Sequence, residues 1–157
     1  DTHKAKFAFA ADGEEAENSG STDAVMLYPG GKENNLRNGY SLIEARFEYN
    51  EEDGLFYRYE YGEPHVDAAF DNTQLAFKNV LVQFTYHEVR DDNGFQVHHD
   101  TRDGYYFTNG KGIHVNWEKN GDYEPTKFYD DDGNEITLNT GKTMICIVED
   151  GDEFGYD

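Results

Sequence analysis

The most regular feature of the chain is an alternation of apolar and polar residues between residues 43 and 61. In SLIEARFEYN (41–50), every second residue from Ile43 onward is apolar or aromatic, and the residues between them are charged or polar. LFYRYEY (55–61) places one leucine and three tyrosines on one side of the chain. A period of two is the pattern of a β-strand with one buried face. Because the acidic stretch EEDG separates the two segments, they are predicted to form a β-hairpin.

The same pattern predicts more antiparallel strands further along the chain. NVLVQFTYHEVR (79–90) is the strongest strand, and an Asn-Gly turn returns the chain into FQVHH (95–99). A second hairpin joins GYYFT (104–108) to IHVNWEK (113–119), again with Asn-Gly at its tip, where both residues accept the positive φ angles of a tight turn. TMICIVE (143–149) is apolar on both sides, which predicts a central strand.

The predicted fold class is mainly β, with antiparallel hairpins forming a barrel-like or sandwiched sheet and little helix. One short helical turn is predicted at Thr73–Phe77, inside the polar loop 62–79. The whole chain is predicted to be a single domain (1–157), with an irregular N-terminal arm carrying one or two short strands (1–40), a β core (41–149) and a tail (150–157).

Composition supports a folded, strongly acidic domain. The chain has 157 residues, 15% of them aromatic, whereas disordered chains are poor in aromatic residues. Its 33 acidic and 13 basic residues give a formal charge of −20, which repels the phosphate backbone of DNA and RNA. Because the sequence opens at Asp1, we expect a processed product or an excised domain, with any targeting segment lost.

The acidic turns raise the question of a calcium site. An EF-hand-type loop needs oxygen ligands at its first, third and fifth positions, glycine at the sixth and glutamate at the twelfth. With Gly133 at the sixth position, the first position is Phe128 and the twelfth is Asn139. With Gly94 at the sixth position, the first position is Val89. Both segments are therefore interpreted as hairpin turns, which leaves only weak, opportunistic calcium binding.

Histidines form the other candidate metal site. If strand 79–90 pairs with strand 95–99 so that even positions match odd ones, His87 lies beside His98. His114 then approaches from the next hairpin and completes a three-histidine set of the kind that binds zinc. The alternative is that all three are ordinary polar residues on strand faces. No cofactor is predicted, and zinc at these histidines stays open beside calcium at the turns.

The residues offer no set for nucleophilic catalysis, and no catalytic residue is predicted. The single cysteine, Cys146, lies in an apolar segment and is predicted to be an inert core residue. Aromatic residues suggest a different kind of site, a groove for a carbohydrate or a peptide, with packing inside the sheets as the alternative. The candidates are Tyr57, Tyr59, Tyr61, Tyr105, Tyr106 and Trp117.

Several ordered motifs resemble a known family. The C-terminal ones are GKGIHVNWEKN (110–120), PTKFYDDDGNEITL (125–138) and GKTMICIV (141–148). YRYEYGEPHVD (57–67) and KNVLVQF (78–84) extend the likeness upstream. Together they resemble the C-terminal domain of the YerB-like bacterial lipoproteins, over about two-thirds of the chain. One departure is Met144, where the closing strand of the family usually has tryptophan.

The resemblance implies an extracytoplasmic domain whose molecular function is not established. Members are exported by an N-terminal signal, tethered to the membrane through a lipidated cysteine, and carry a second, N-terminal domain. Membrane contact is therefore expected only through a lipid anchor outside this chain. The expected partners are an unknown envelope protein or polymer and the N-terminal domain of the full-length protein, but no nucleic acid.

The shared motifs also supply a candidate ligand-binding surface. Arg58 and Lys119 would hold an anionic group, while His65 and Asp67 would hydrogen-bond a polar one. The full set is Arg58, His65, Asp67, Asn79, Trp117 and Lys119. The alternative is structural: Arg58 pairs with Asp67 and Asn79 caps backbone groups, which fixes the long loop 62–79 to the sheet.

Taken together, the sequence predicts a non-enzymatic binding or scaffold module of a bacterial envelope lipoprotein. One alternative is a metal-dependent or acid–base hydrolase that acts on envelope material. Another is a purely structural support for the N-terminal domain. Bound stoichiometric metal would favour the hydrolase, and an N-terminal domain that works unaided would argue against the structural support.

Overall fold

The computed structural model describes residues 8–11, 14–15, 20–30, 45–85, 87–89, 95–97, 102–119, 125–148 and 154–157. Regular structure in these ranges is almost entirely β, with one 3-10 turn at Ala68–Phe70. None of the described segments forms a helix with the length and apolar character needed to cross a membrane.

The strands are short, as expected for a chain with frequent turns. The first nine are β1 (Ala8–Phe9), β2 (Thr22–Asp23), β3 (Met26–Tyr28), β4 (Arg46–Asn50), β5 (Leu55–Glu60), β6 (Glu63–Pro64), β7 (Val66–Asp67), β8 (Thr73–Gln74) and β9 (Ala76–Phe77). The remaining strands are β10 (Asn79–Phe84), β11 (His87–Val89), β12 (Phe95–Val97), β13 (Arg102–Thr108), β14 (Lys111–Glu118), β15 (Lys127–Tyr129), β16 (Thr137–Leu138), β17 (Thr143–Val148) and β18 (Gly155–Tyr156).

Most of these strands belong to two six-stranded sheets. The first sheet has the order β15–β14–β13–β10–β17, with β2 beside β14, and the second has the order β18–β3–β4–β5–β6, with β9 beside β5. Within these two sheets, neighbours are antiparallel except for β10 and β17, which run parallel, as do β1 and β16 elsewhere. Three two-stranded sheets pair β1 with β16, β7 with β8, and β11 with β12.

The two large sheets share one apolar core. Phe47 and Phe56 of the second sheet and Val80 and Phe107 of the first are fully buried in the same cluster. Phe47 lies on the side of β4 that its apolar alternation predicts to be buried. In β5 the buried residue, Phe56, instead lies on the side opposite to Tyr57 and Tyr59, so the predicted apolar side of LFYRYEY faces outward. The described strands thus pack as a sandwich, and none of the sheets they form closes into a barrel. The predicted mainly β, antiparallel fold is confirmed in its sandwiched form.

A second apolar cluster covers the opposite face of the first sheet. Its members are Leu81, Tyr106, Ile113, Val115, Trp117, Phe128, Ile136 and Leu138. Trp117 is 1% exposed, and its indole nitrogen donates a 2.8 Å hydrogen bond to the backbone carbonyl of Phe84. The first sheet is therefore buried on both faces over its central strands.

The position of β17 differs from the prediction of a central strand. Among the described strands it pairs with β10 alone and ends the first sheet. Cys146 and Val148 face the core, whereas Ile145 and Ile147 on the other side are 40% and 50% exposed. Apolar residues on both sides of a strand suggest that both of its faces are buried. They do not show whether the strand lies at the centre or the edge of a sheet, because that depends on pairing with strands distant in the sequence.

The helical turn also lies elsewhere than predicted. The structure has a 3-10 turn at Ala68–Phe70, where the Asp67 side chain accepts a 2.9 Å hydrogen bond from the amide of Ala69. The predicted segment Thr73–Phe77 instead supplies β8 and β9. Pairing of β9 with β5 overrides the local helical tendency of this segment.

Strands also occur in the segments predicted to be an irregular arm and a tail. The arm contains β1, β2 and β3, of which β3 pairs with β4 in the second sheet. The tail contains β18, which pairs with β3. Both segments thus add strands to the sandwich.

Candidate functional site

The motif residues predicted to form one surface fall into separate environments. Arg58 points into the sandwich and is 4% exposed, with its guanidinium 5.1 Å from the centre of the Phe47 ring. Its Nη2 lies 3.4 Å from Oε1 of Glu60, and Nδ1 of His65 lies 3.4 Å from the same oxygen. Arg58 thus pairs with Glu60 rather than with Asp67, whose carboxylate caps the 3-10 turn.

Asn79 is fully buried at the start of β10 and belongs to a polar network on the face of the first sheet that the second apolar cluster covers. Its Oδ1 accepts a 2.8 Å hydrogen bond from the hydroxyl of Tyr106. Its Nδ2 donates to the backbone carbonyl of Asn139 at 2.6 Å and to the hydroxyl of Thr143 at 3.2 Å. Nδ2 of Asn139 in turn donates a 2.9 Å hydrogen bond to the hydroxyl of Thr108. Asn79 therefore caps backbone, as the structural alternative predicted, but in the loop between β16 and β17.

The other two motif residues lie on and just after β14. Trp117 is packed in the second apolar cluster, and Lys119 is half-buried immediately after the strand. A ligand on the surface could contact Trp117 only after displacing its neighbours. Trp117 therefore contributes to packing in this structure.

Of the three predicted zinc ligands, His87 and His114 lie on described strands, whereas His98 lies outside the described residues. His87 pairs with Val97 across β11 and β12, because the five residues between the paired positions 89 and 95 match odd positions with odd ones. The predicted even-to-odd register is therefore wrong. Within the described part of the chain, no group of three or more His, Cys, Asp or Glu residues is arranged to hold a metal.

His114 instead sits between two carboxylates on the surface of the first sheet. Its Nδ1 lies 2.6 Å from Oδ1 of Asp131, and its Nε2 lies 2.9 Å from Oδ1 of Asp103. Burial works to lower the pKa of His114, but the hydrogen bonds and charges of the two aspartates outweigh it and raise the pKa above its ordinary value. The result is an imidazolium clamp between β13, β14 and the acidic turn.

The acidic turn is stabilised by hydrogen bonds between the Asp130 side chain and backbone amides of the same turn. Oδ1 of Asp130 accepts hydrogen bonds from the amides of Asp132 at 3.0 Å and Asn134 at 2.9 Å. Gly133 takes a φ of +85°, which closes the turn. One carboxylate of this turn therefore stabilises the loop, as expected for an Asp-rich hairpin tip.

A concave surface lies on the outer face of the second sheet. We call it the tyrosine depression; it has a volume of about 630 Å³. Its lining consists of Glu48, Tyr49, Asn50, Glu51, Glu52, Tyr57, Tyr59 and Gln74. Three of the eight lining residues are tyrosines and the other five are polar or acidic, so the depression is more polar than most small-molecule sites.

The strand register explains why these side chains meet. Tyr57 on β5 is directly opposite Glu48 on β4 and Ala76 on β9, so the three side chains form one row across the sheet. The hydroxyl of Tyr57 donates to the carboxylate of Asp53 in the preceding turn, and this hydrogen bond raises the pKa of Tyr57. The ring of Tyr57 is therefore fixed in orientation before any ligand arrives.

Tyr59 is the second ring of the tyrosine depression, and it is already partly covered. The Arg46 guanidinium lies 4.3 Å from the centre of the Tyr59 ring, and its Nε lies 3.6 Å from Oε1 of Glu48. Such a contact between a cation and an aromatic ring stabilises both side chains. Tyr57 is consequently the ring best placed to receive a ligand.

A second concave surface begins on the other side of Tyr57. We call it the lysine depression; its volume is about 470 Å³. Its lining consists of Leu55, Tyr57, Asp67, Thr73, Gln74, Leu75, Ala76, Lys78, Thr140, Gly141 and Lys142. Tyr57 and Gln74 belong to both depressions.

The sequence carried only part of the signal for these surfaces. The tyrosines on one side of LFYRYEY were identified as candidates, and two of them do line a concave surface. Tyr106 and Trp117, from the same set of candidates, are buried. Lys78, Gly141 and Lys142 were missed, because only the pairing of β10 with β17 brings them together.

Comparison with known proteins gives one family and one fold relative. Residues 34–145 match the family model described as "Protein of unknown function (DUF3048) C-terminal domain". The crystal structure of the YerB protein from Bacillus subtilis is similar, with a TM-score of 0.56 and 20% sequence identity, over 66% of this chain and 35% of that chain. The chain thus spans about a third of that protein's length, and the likeness concerns the fold. A search of curated proteins gives no match.

Proposed function

The chain belongs to the DUF3048 C-terminal domain family, a family of unknown function, and we propose that it is a non-enzymatic module that binds a glycan outside the cytoplasm. The proposed ligand is a polymer of the bacterial envelope, and the binding surface is the tyrosine depression. The location is supported by the motifs shared with the YerB-like lipoproteins, whose members are tethered outside the membrane.

The observation that carries the proposal is the fixed ring of Tyr57 at the centre of a concave surface. A sugar ring presents an apolar face that packs against an aromatic ring, and its hydroxyl groups need hydrogen-bond partners around it. Glu48 and Gln74 supply acceptors and donors on two sides of Tyr57. Because Asp53 already orients the tyrosine, binding would lose little side-chain entropy.

The charged groups around Tyr57 suit a ligand rich in hydroxyl groups. Carboxylates of Glu48, Glu51 and Glu52 line one depression, and the ammonium groups of Lys78 and Lys142 line the other. A sugar hydroxyl can both donate to a carboxylate and accept from an ammonium group. A ligand rich in hydroxyl groups can therefore form hydrogen bonds at both ends of this surface.

The most conspicuous reactive groups of the chain serve structure, which favours binding over catalysis. The Cys146 thiol is fully buried, and burial raises its pKa to about 12, so it is not a nucleophile near neutral pH. Both ring nitrogens of His114 are engaged by carboxylates, so this imidazole is held as a charged clamp.

Isothermal titration with N-acetylchitohexaose, a neutral β-linked sugar oligomer, tests the proposal. Wild-type protein should bind it, and Tyr57→Ala should weaken binding by about tenfold or more, as expected for a central aromatic contact. The matched control is Tyr129→Ala, because Tyr129 is a half-buried tyrosine on β15 that lines neither depression. Equal loss of affinity in both variants, or no binding by the wild type, would reject the proposal.

A further inference from the structure

The tyrosine and lysine depressions form one groove, because Tyr57 and Gln74 line both of them. We infer that the glycan bears carboxylate groups and that Lys142 binds one of them while the sugar chain lies across Tyr57. This inference rests on the proposed function and adds the chemical class of the ligand to it.

The basic end of the groove is built by backbone contacts. The carbonyl of Lys142 accepts hydrogen bonds from the amides of Lys78 at 2.9 Å and Asn79 at 3.1 Å. Gly141 packs directly against Lys78, and a Cβ added at Gly141 would lie 2.6 Å from the Cβ of Lys78. These contacts hold two lysines side by side at one wall of the groove.

The two lysines differ in their surroundings. Nζ of Lys78 donates to Oδ1 of Asn109 at 2.8 Å and to Oε1 of Glu15 at 3.1 Å, so a carboxylate already balances its charge. Lys142 is exposed, and no carboxylate in the described part of the chain forms an ion pair with it. Of the two lysines that line this depression, Lys142 is consequently the one whose charge no described carboxylate balances.

The overall charge limits how many anionic groups the ligand can carry. A formal charge of −20 repels a polyanion, and Asp67 adds a carboxylate to the lining of the lysine depression itself. A single carboxylate of the ligand can pair with Lys142. Further carboxylates close to it would be repelled by the surrounding acidic side chains. The favoured ligand is therefore a glycan in which acidic residues alternate with neutral ones.

A hyaluronan hexasaccharide is a suitable probe, because glucuronate and N-acetylglucosamine alternate along it. Isothermal titration should show tighter binding of this probe than of N-acetylchitohexaose, by roughly two- to fivefold, the effect of one solvent-accessible ion pair. Lys142→Gln should remove that preference, so that the two oligosaccharides bind with equal affinity. Lys127→Gln, which replaces an exposed lysine on β15, is the control and should change neither affinity.

The outcomes separate the two proposals. If N-acetylchitohexaose binds through Tyr57 but hyaluronan binds equally well or more weakly, the carboxylate inference is overturned and the glycan proposal stands. If Lys142→Gln leaves a preference for hyaluronan intact, the assignment to Lys142 is overturned. If neither oligosaccharide binds, both proposals fall.

Discussion

The side-chain amide of Asn79 donates a 2.6 Å hydrogen bond to the backbone carbonyl of Asn139, beside the second apolar cluster of the first sheet. This contact ties the first residue of β10 to the loop that leads through Gly141 and Lys142 into β17. The backbone amide of Asn79 also donates to the carbonyl of Lys142. One buried asparagine therefore fixes the wall of the lysine depression to the core.

Asn79→Ala should destabilise the protein by about 1–3 kcal/mol, because it leaves buried polar groups of Tyr106 and Asn139 without this partner. Urea unfolding followed by Trp117 fluorescence measures the change. The control is Asn134→Ala, since Asn134 is exposed and contributes backbone groups to its turn. Equal stability of the two variants would show that the network contributes nothing.

Gly141→Ala should cost about 2–4 kcal/mol, because the new Cβ meets Lys78 and the φ of +146° is strained for alanine. Gly133→Ala is the matched comparison. Its φ of +85° is also strained, but nothing lies within 4 Å of the added Cβ, so we expect about 1 kcal/mol. Thermal unfolding of both variants separates backbone strain from steric contact. A cost for Gly133→Ala as large as that for Gly141→Ala would contradict close packing on Lys78.

The local pattern was sufficient to place the hairpins β4–β5 and β13–β14, but it gave the wrong register for β11 and β12 and did not show which hairpins pair with each other. Asn109 and Gly110 have φ values of +52° and +71°, as a tight Asn-Gly turn requires, and this is readable from two residues. The parallel pairing of Asn79 with Thr143 joins residues far apart in the chain, and no local period reveals it. The same holds for the candidate site. Tyr57 could be identified from the pattern of its own strand, whereas Lys142 reaches the site through the pairing of β10 with β17, which no local pattern reveals.

Stability should depend on pH through His114. Its pKa in the folded protein is raised above the unfolded value of about 6.5, so the charged clamp contributes fully below that pH and is lost as pH rises through the folded pKa. Wild type should therefore exceed His114→Gln in stability at pH 6, by less than about 1 kcal/mol for a pair this exposed, and by less still at pH 9.

Urea unfolding of wild type and His114→Gln at the two pH values checks this expectation. Asp131→Asn should reduce the same pH dependence, because it removes one of the two carboxylates that contact the imidazole. A stability difference that is identical at pH 6 and pH 9 would mean that the two aspartates do not raise the pKa of His114.

Cys146 should resist thiol reagents in the folded protein. It is fully buried in the core, and burial raises its pKa to about 12. At pH 8 a reagent therefore cannot reach the sulfur, and the thiol is not ionised to the reactive thiolate. Because Cys146 is the single cysteine, labelling with a colorimetric disulfide reagent reports on this site alone. The rate should follow global unfolding as urea is added, whereas rapid complete labelling in native buffer would contradict the packing of β17 against the second sheet.

The central claim is that a glycan lies across Tyr57, and amide NMR during titration with N-acetylchitohexaose tests it most directly. We expect the resonances of Tyr57 and Gln74, which line both depressions, to shift together with those of Glu48 and Ala76 beside them. The indole resonance of Trp117, buried in the other cluster, should stay in place. Shifts centred on Trp117 and absent at Tyr57, or a spectrum that does not change at all, would contradict the account.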